Sequence, residues 1–113
     1  MTANECLFCK IVGGDVPANI VYEDDKVLAF RDINPRAPIH VLVIPKEHLD
    51  SLASVADENR ELMGHIMLTA KEIARDEGLS HSGYRTVINV GGDGGQTVNH
   101  LHLHLLGGRA LRW

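Results

Sequence analysis

Aromatic side chains make up only 4% of the 113 residues. That excludes the stacked aromatic platforms that grip single-stranded nucleic acid. Cysteine is nearly absent, with Cys6 and Cys9 alone. Two thiols are too few for a secreted disulfide framework and suit a reducing cytoplasm. Positive charge is in deficit: 11 Lys and Arg face 15 Asp and Glu, a net −4 with neutral histidines. No basic cluster interrupts this balance, so no nucleic acid partner is expected, and an anionic ligand needs local donors. The longest apolar runs reach about five or six residues, far short of the roughly 20 that a membrane span requires. The opening Met1-Thr2-Ala3-Asn4-Glu5 is polar and acidic, unlike a secretory or transit segment. No repeat, linker or low-complexity tract is visible.

What remains is ordinary globular usage, 44% hydrophobic and 23% charged. A chain of this length buries roughly 60–70% of its unfolded surface, enough for one core without staples. The pattern reads as a helical turn from Cys6 to Gly13-Gly14, then strands Ile20–Tyr22, Val27–Phe30 and His40–Pro45. Asp32–Pro38, with Pro35 and Pro38, is a loop. Leu62, Ile66, Ala70 and Ile73 recur at helical spacing and predict one long helix from Ser54 to Gly78, with Met63 and Met67 as core filler. Ser54 and Asp57 supply an N-terminal capping signal and Gly78 a stop. Strands at Tyr84–Val90 and His100–Leu106 flank the glycine loop Gly91-Gly92-Asp93-Gly94-Gly95. Strands clustered in runs predict an α+β fold with a mostly antiparallel sheet and helix on one face.

The chemistry concentrates in His100-Leu101-His102-Leu103-His104-Leu105-Leu106. A strand alternates its side chains, so three imidazoles share one face at roughly 6–7 Å spacing. The leucines take the other face, toward the long helix. A solvated strand face or a simple three-histidine metal site are the plainer readings. The sharper one is nucleophilic and proton-transfer chemistry by neutral imidazole. The glycine loop just before it lets backbone N–H groups approach a phosphate. His65, in the helix, and His81, in a loop, read as solvated surface.

His100-Leu-His102-Leu-His104-Leu-Leu resembles the histidine triad pattern, His-φ-His-φ-His-φ-φ with φ apolar. The segments Asp32-Ile33-Asn34-Pro35, Ala37-Pro38-Ile39-His40, Val43-Ile44-Pro45-Lys46-Glu47-His48, Gly94-Gly95-Gln96-Thr97-Val98-Asn99 and Gly107-Gly108-Arg109 resemble the same family, over nearly the whole chain. The branch most similar is Hint, the purine nucleoside phosphoramidases, whose C-terminal tryptophan Trp113 also matches. The resemblance implies one domain over residues 1–113, a five-stranded sheet with one long and one short helix, and a twofold homodimer through the long helix and the strand from Tyr84.

It also implies roles. His102 attacks the α-phosphorus to form a nucleotidyl-histidine, which water resolves. His100 orients His102 through its carbonyl. His104 and the N–H groups near Thr97 and Val98 bind phosphate oxygens, and His40 supports the triad. Thr97 helps protonate the leaving amine, Asn89 and Gly95 contact the phosphate region, and Asp32 takes the ribose hydroxyls. Phe8, Ile11, Phe30 and Ile33 flank the purine of AMP or GMP. No cofactor is needed for that chemistry. Other branches hydrolyse dinucleoside polyphosphates or transfer nucleotidyl groups, and a non-catalytic nucleotide-binding adaptor is a further alternative. Finally, Cys6-x-x-Cys9 has the spacing of a zinc thiolate pair, with His48 and His100 as candidates for the other two ligands. Some bacterial members resemble this pattern and carry structural zinc there. An unmetallated, reduced thiol pair is the plain alternative.

Overall fold

The structure, a computed structural model, describes residues 5–113; the polar opening Met1–Asn4 lies outside them. Helix α1 (Leu7–Val12) leads into strands β1 (Ile20–Glu23), β2 (Val27–Arg31) and β3 (Ile39–Pro45). Two 3-10 turns, Leu52–Ser54 and Asp57–Asn59, precede helix α2 (Arg60–Asp76), and strands β4 (Tyr84–Val87) and β5 (Leu103–Gly107) follow. The sheet order is β1-β2-β3-β5-β4, and every neighbouring pair is antiparallel. This is the expected α+β architecture, with one long and one short helix.

Both faces of the sheet are covered, which explains the unbroken apolar runs of β2 and β3. Period-two alternation sends Val27, Ala29, Val41, Val43, Leu101, Leu103 and Leu105 against Ile66, Ala70 and Ile73 of α2. The opposite face carries Leu28, Phe30, Leu42 and Ile44, packed with Phe8 and Ile11 of α1. The short helix is thus a second cover where helix on one face only was expected, and it sits on the histidine face. Leu105 is fully buried at the centre of the first layer. Leu105→Ala is expected to cost about 2–5 kcal/mol by loss of transfer energy and cavity formation; a urea-unfolding midpoint equal to the parent's contradicts that packing.

Several boundaries differ from the sequence reading. The long helix starts at Arg60, not Ser54. Ser51, not Ser54, caps the first 3-10 turn through its hydroxyl, which accepts the Ala53 N–H at 3.1 Å. Asn59 Oδ1 takes the Ala56 N–H at 3.1 Å and closes the second turn. These side-chain acceptors hold tight turns where periodicity alone suggested helix. Gly78 does stop α2: its φ is +79°, and the Leu79 N–H donates back to Ala74 O at 2.8 Å. Met67 is 46% exposed and so is not core filler, while Met63 packs against the core. His65 is not merely solvated. It sits 2.7 Å from Asp24 Oδ2, which also accepts the Tyr22 hydroxyl at 2.7 Å. Partial burial pushes the Asp24 carboxyl up, but Tyr22, the N–H groups of Lys26 and Val27, and His65 outweigh it and hold it well below the usual range.

The largest shift concerns the triad segment. Strand β5 begins only at Leu103, because Leu101 N–H bonds Leu49 O at 2.7 Å instead of continuing the ladder with β3. His100 and His102 therefore lie just before the strand while keeping its alternation. Strand β4 likewise ends at Val87, three residues short of the expected Val90.

Candidate active site and metal centre

The alternation places His100, His102 and His104 on the α1 side of the sheet. The rings of His102 and His104 are 4.9 Å apart between centroids, closer than strand spacing alone gives. Phe8 of α1 meets His102 edge-on at 5.2 Å and His100 at 5.9 Å. His100 is fully buried, and His102 and His40 are nearly so. His100 turns Nδ1 to the thiols and Nε2 to Pro45 O, so His100, His102 and His104 do not form a histidine-only metal site.

Each ring's neighbours fix its tautomer. His102 Nδ1 lies 2.7 Å from His100 O, and a carbonyl only accepts, so Nδ1 carries the proton. The neutral ring then keeps its lone pair on Nε2. On His40 the logic is reversed. The backbone N–H of Arg36 donates to His40 Nδ1 at 3.1 Å, so the proton sits on Nε2. That Nε2–H points at His104 Nδ1, 2.9 Å away, with Asp32 Oδ2 3.5 Å off as a secondary acceptor. His104 must in turn hold its proton on Nε2. One backbone amide thus sets two imidazoles in series, and His104 ends as a hydrogen-bond donor.

Burial, then the nearby His102 and His40, push the His104 ring down to about 4, against a weaker opposing pull from Asp32. Burial likewise lowers His40, again against Asp32. Both rings are neutral at pH 7, as the series requires. Both bind protons more weakly folded than unfolded, where histidine titrates near about 6.5. Their stabilisation is complete above that pH and is lost as pH falls through their lowered values, about 4 for His104. The parent's melting temperature is expected to fall more steeply between pH 7 and 4.5 than that of His104→Gln; equal slopes contradict the assignment.

Two cavities meet at this point. An apolar slot of about 240 Å³ lies between α1 and the sheet. Phe8, Ile11 and Phe30, expected to flank a purine, line it together with Val98 and His102, and Ile33 stands at its rim, 90% exposed. Leu7, Val16, Pro17, Ala18 and Leu42 also line it and were missed. Leu42 was detectable, since it lies two residues from His40 on the same strand face. A second, polar cleft of about 480 Å³ is bordered by Asn89 and Gly95 together with Arg36 and Arg85. Asp32, Thr97 and His104 belong to both cavities.

The glycine loop is used differently from expectation. The Gly95 and Gln96 N–H groups donate to Gly92 O and Gly91 O, inside the loop. The Asn89 amide donates to Gly94 O, and Gln96 ties the loop to Asp50 O and Val98 O. A Cβ on Gly94 would collide with the Val90 carbonyl, and Gly95 has φ +82°. These glycines shape a tight loop that delivers Thr97 and Val98 to the cavity junction.

Behind the triad, Cys6, Cys9, His48 and His100 offer four ligand atoms, all within 4.8 Å of one another. Tetrahedral zinc with two sulfurs and two nitrogens has edges of about 3.3–3.8 Å. The observed separations are 3.2 Å for Cys9 Sγ to His48 Nδ1, 3.4 Å for Cys6 Sγ to His100 Nδ1 and 3.6 Å for Cys9 Sγ to His100 Nδ1. Proton placement agrees with that chemistry. His100 Nε2–H donates to Pro45 O at 2.9 Å, and His48 Nε2 faces the Asp50 carboxylate at 2.8 Å. Each ring is left with an Nδ1 lone pair aimed at the thiols, oriented from behind as metal-bound histidines are. Burial, then Cys6, push the Cys9 thiol up to about 11, a penalty that a divalent cation removes. Asp32, His40 and His104 also cluster closely. There His40 Nε2 holds a proton, so that group is a proton-ordered chain and not a metal site.

Residues 13–111 match the HIT domain. The chain belongs to the HIT family. This HIT protein is 56% identical over 111 residues to an uncharacterised HIT-like protein of Synechococcus elongatus, covering 98% of this chain and 96% of that one. It superposes on the crystal structure of a HIT family hydrolase from Legionella pneumophila with a TM-score of 0.95 and 54% identity, over 96% of this chain and 97% of that one. A zinc-bound histidine triad family protein from Mycobacterium smegmatis aligns with TM-score 0.81 and 39% identity, over 96% and 78% of the two chains. Among the described residues, no helix is long and apolar enough to cross a membrane.

Proposed function

We propose that this HIT protein is a nucleoside phosphoramidase, cleaving the P–N bond of purine nucleoside phosphoramidates. The observation that carries this reading is the single Nε2 lone pair of His102, held by the 2.7 Å contact of Nδ1 with His100 O beside the meeting point of two cavities. The apolar slot suits a purine, and Asp32 at its edge suits a ribose diol. The phosphate then falls at the junction. His102 Nε2 attacks phosphorus, the P–N bond breaks, and the leaving amine takes a proton with help from Thr97. His104 Nε2–H donates to a phosphate oxygen and stabilises the charge that develops there. Water next attacks phosphorus, the P–Nε2 bond breaks, and nucleoside monophosphate and free His102 result. The hydrolase from Legionella supports a hydrolytic outcome.

Adenosine 5′-phosphoramidate incubated with the protein should release AMP and ammonia in equal amounts, read by chromatography and an ammonia assay. No release, with AMP binding intact by calorimetry, would leave a binding adaptor and overturn the proposal.

The Cys6, Cys9, His48 and His100 group holds a structural zinc in this reading, supported by its donor set and by the zinc-bound relative. The metal supplies no step of the reaction; it ties α1 to the segment that carries the nucleophile. A homodimer completes the proposal. Strand β4 ends the sheet with one edge unpaired, and Met67, Leu68 and Tyr84 expose apolar surface. Sedimentation at low micromolar concentration should give twice the 12.4 kDa chain mass; a monomer alone contradicts the dimer.

A further inference from the structure

The polar cleft has a composition that the purine slot and the phosphate do not explain. His102 lines the slot and not the cleft. An in-line displacement started by His102 at the junction therefore expels its leaving atom into the cleft. Two guanidinium groups border that space, Arg36 and Arg85. Arg85 donates to the carbonyls of Arg112 at 2.8 Å and Leu111 at 3.4 Å, neutral partners that leave its charge in place. Among the described residues, no hydrogen bond or ion pair engages the side chain of Arg36. Its backbone N–H donates to His40 Nδ1 at 3.1 Å and it lines the cleft with His40 and His104, so it stands close to the reacting centre. The cleft's one carboxylate, Asp32, already accepts the Asn34 N–H at 2.8 Å and faces the slot as well.

We propose that the polar cleft selects a leaving group with its own negative charge, an amine bearing a carboxylate, and that Arg36 is the residue that recognises it. The inference rests on the phosphoramidase reading and refines its substrate class. A carboxylate a few bonds from the scissile nitrogen lies within reach of the unpaired guanidinium. Neutral and cationic amines gain nothing there, and a cation is repelled. The chemical step is unchanged: the P–N bond breaks, the nitrogen takes the proton, and the amino acid leaves with its carboxylate on Arg36.

The test compares two adenosine phosphoramidates, one of β-alanine and one of its N-methylamide, in the parent, Arg36→Gln and Arg36→Glu. Using the ratio of their kcat/KM values cancels intrinsic differences between the amines. The ratio should be roughly three- to tenfold higher in the parent than in Arg36→Gln, the range for a partly exposed charge pair near a protein surface. In Arg36→Glu it should fall below the glutamine value. A ratio equal in all three proteins overturns the proposal. So does an equal loss on both substrates in Arg36→Gln, which would assign the guanidinium to the phosphate. Diadenosine triphosphate forms a further arm; faster turnover of it than of the β-alanine compound would place a phosphate chain in the cleft and overturn the amine. Hydrolysis of none of these by the parent overturns the underlying reading instead, so the two failures are distinguishable.

Discussion

His102→Ala is expected to lower AMP release from an adenosine phosphoramidate by at least about 10⁴-fold, while AMP binding stays within a few-fold of the parent. The size of the loss follows from the tautomer. His102 offers the one imidazole lone pair that faces the cavity junction; His100 Nδ1 faces the thiols, and His104 Nδ1 is filled by His40. No neighbour can replace it. His104→Gln gives a useful contrast. A glutamine amide can still donate a hydrogen bond to a phosphate oxygen, so the loss should be only about 10- to 100-fold. Single-turnover kinetics with both variants, and calorimetric titration with AMP, read the difference. Equal losses in the two variants would mean that the roles of the two rings are misassigned.

If Cys6, Cys9, His48 and His100 hold zinc as proposed, removing the metal is expected to have the largest effect on stability. Cys6 and His100 are fully buried, and with Cys9 and His48 they join α1, the segment after β3 and the triad in one cluster. A chelator, or Cys6→Ser, should lower the melting temperature by about 10 °C or more, given that each kcal/mol moves a domain of this size by roughly 4–8 °C. Without the cation the Cys9 thiol keeps its proton, because its buried setting pushes it up to about 11. Turnover should fall as well, roughly tenfold, since the His100 carbonyl that orients His102 belongs to a residue proposed as a zinc ligand. Protein purified without chelator that contains no zinc, and melts the same with and without chelator, would sink this part of the account.

Much of this arrangement is legible in the residues alone. The alternation of His100, His102 and His104 with leucine fixes one chemical face and one core face without any knowledge of the fold, and both faces stand where period two puts them. The Cys-x-x-Cys spacing likewise indicates a paired set of thiols, because one helical turn brings Cys6 and Cys9 together. What the sequence hides is long-range or depends on backbone. The N–H of Arg36 acting on His40, the Pro45 carbonyl acting on His100 and the carboxylate of Asp50 behind His48 join residues by hydrogen bonds with no periodic signature. Val16, Pro17 and Ala18 lie between elements and carry no periodic signal, yet they close the apolar slot because α1 folds back over the histidine face. The long helix starts late because Ser51 and Asn59 bond backbone N–H groups in tight turns, a local competition that hydrophobic spacing does not register. The glycine loop misleads in an instructive way: its glycines are needed for the turn itself, and the N–H groups of Gly91, Gly95 and Gln96 are already spent within it.

The most direct test of the whole account is to trap the covalent intermediate. The protein is mixed with excess adenosine phosphoramidate, quenched in alkali within milliseconds to seconds, and digested for mass spectrometry. One adenylyl group is expected on His102, released as AMP on acid treatment and missing in His102→Ala. An adenylyl group on His100 or His104, or rapid turnover with no adduct at any quench time, would contradict it.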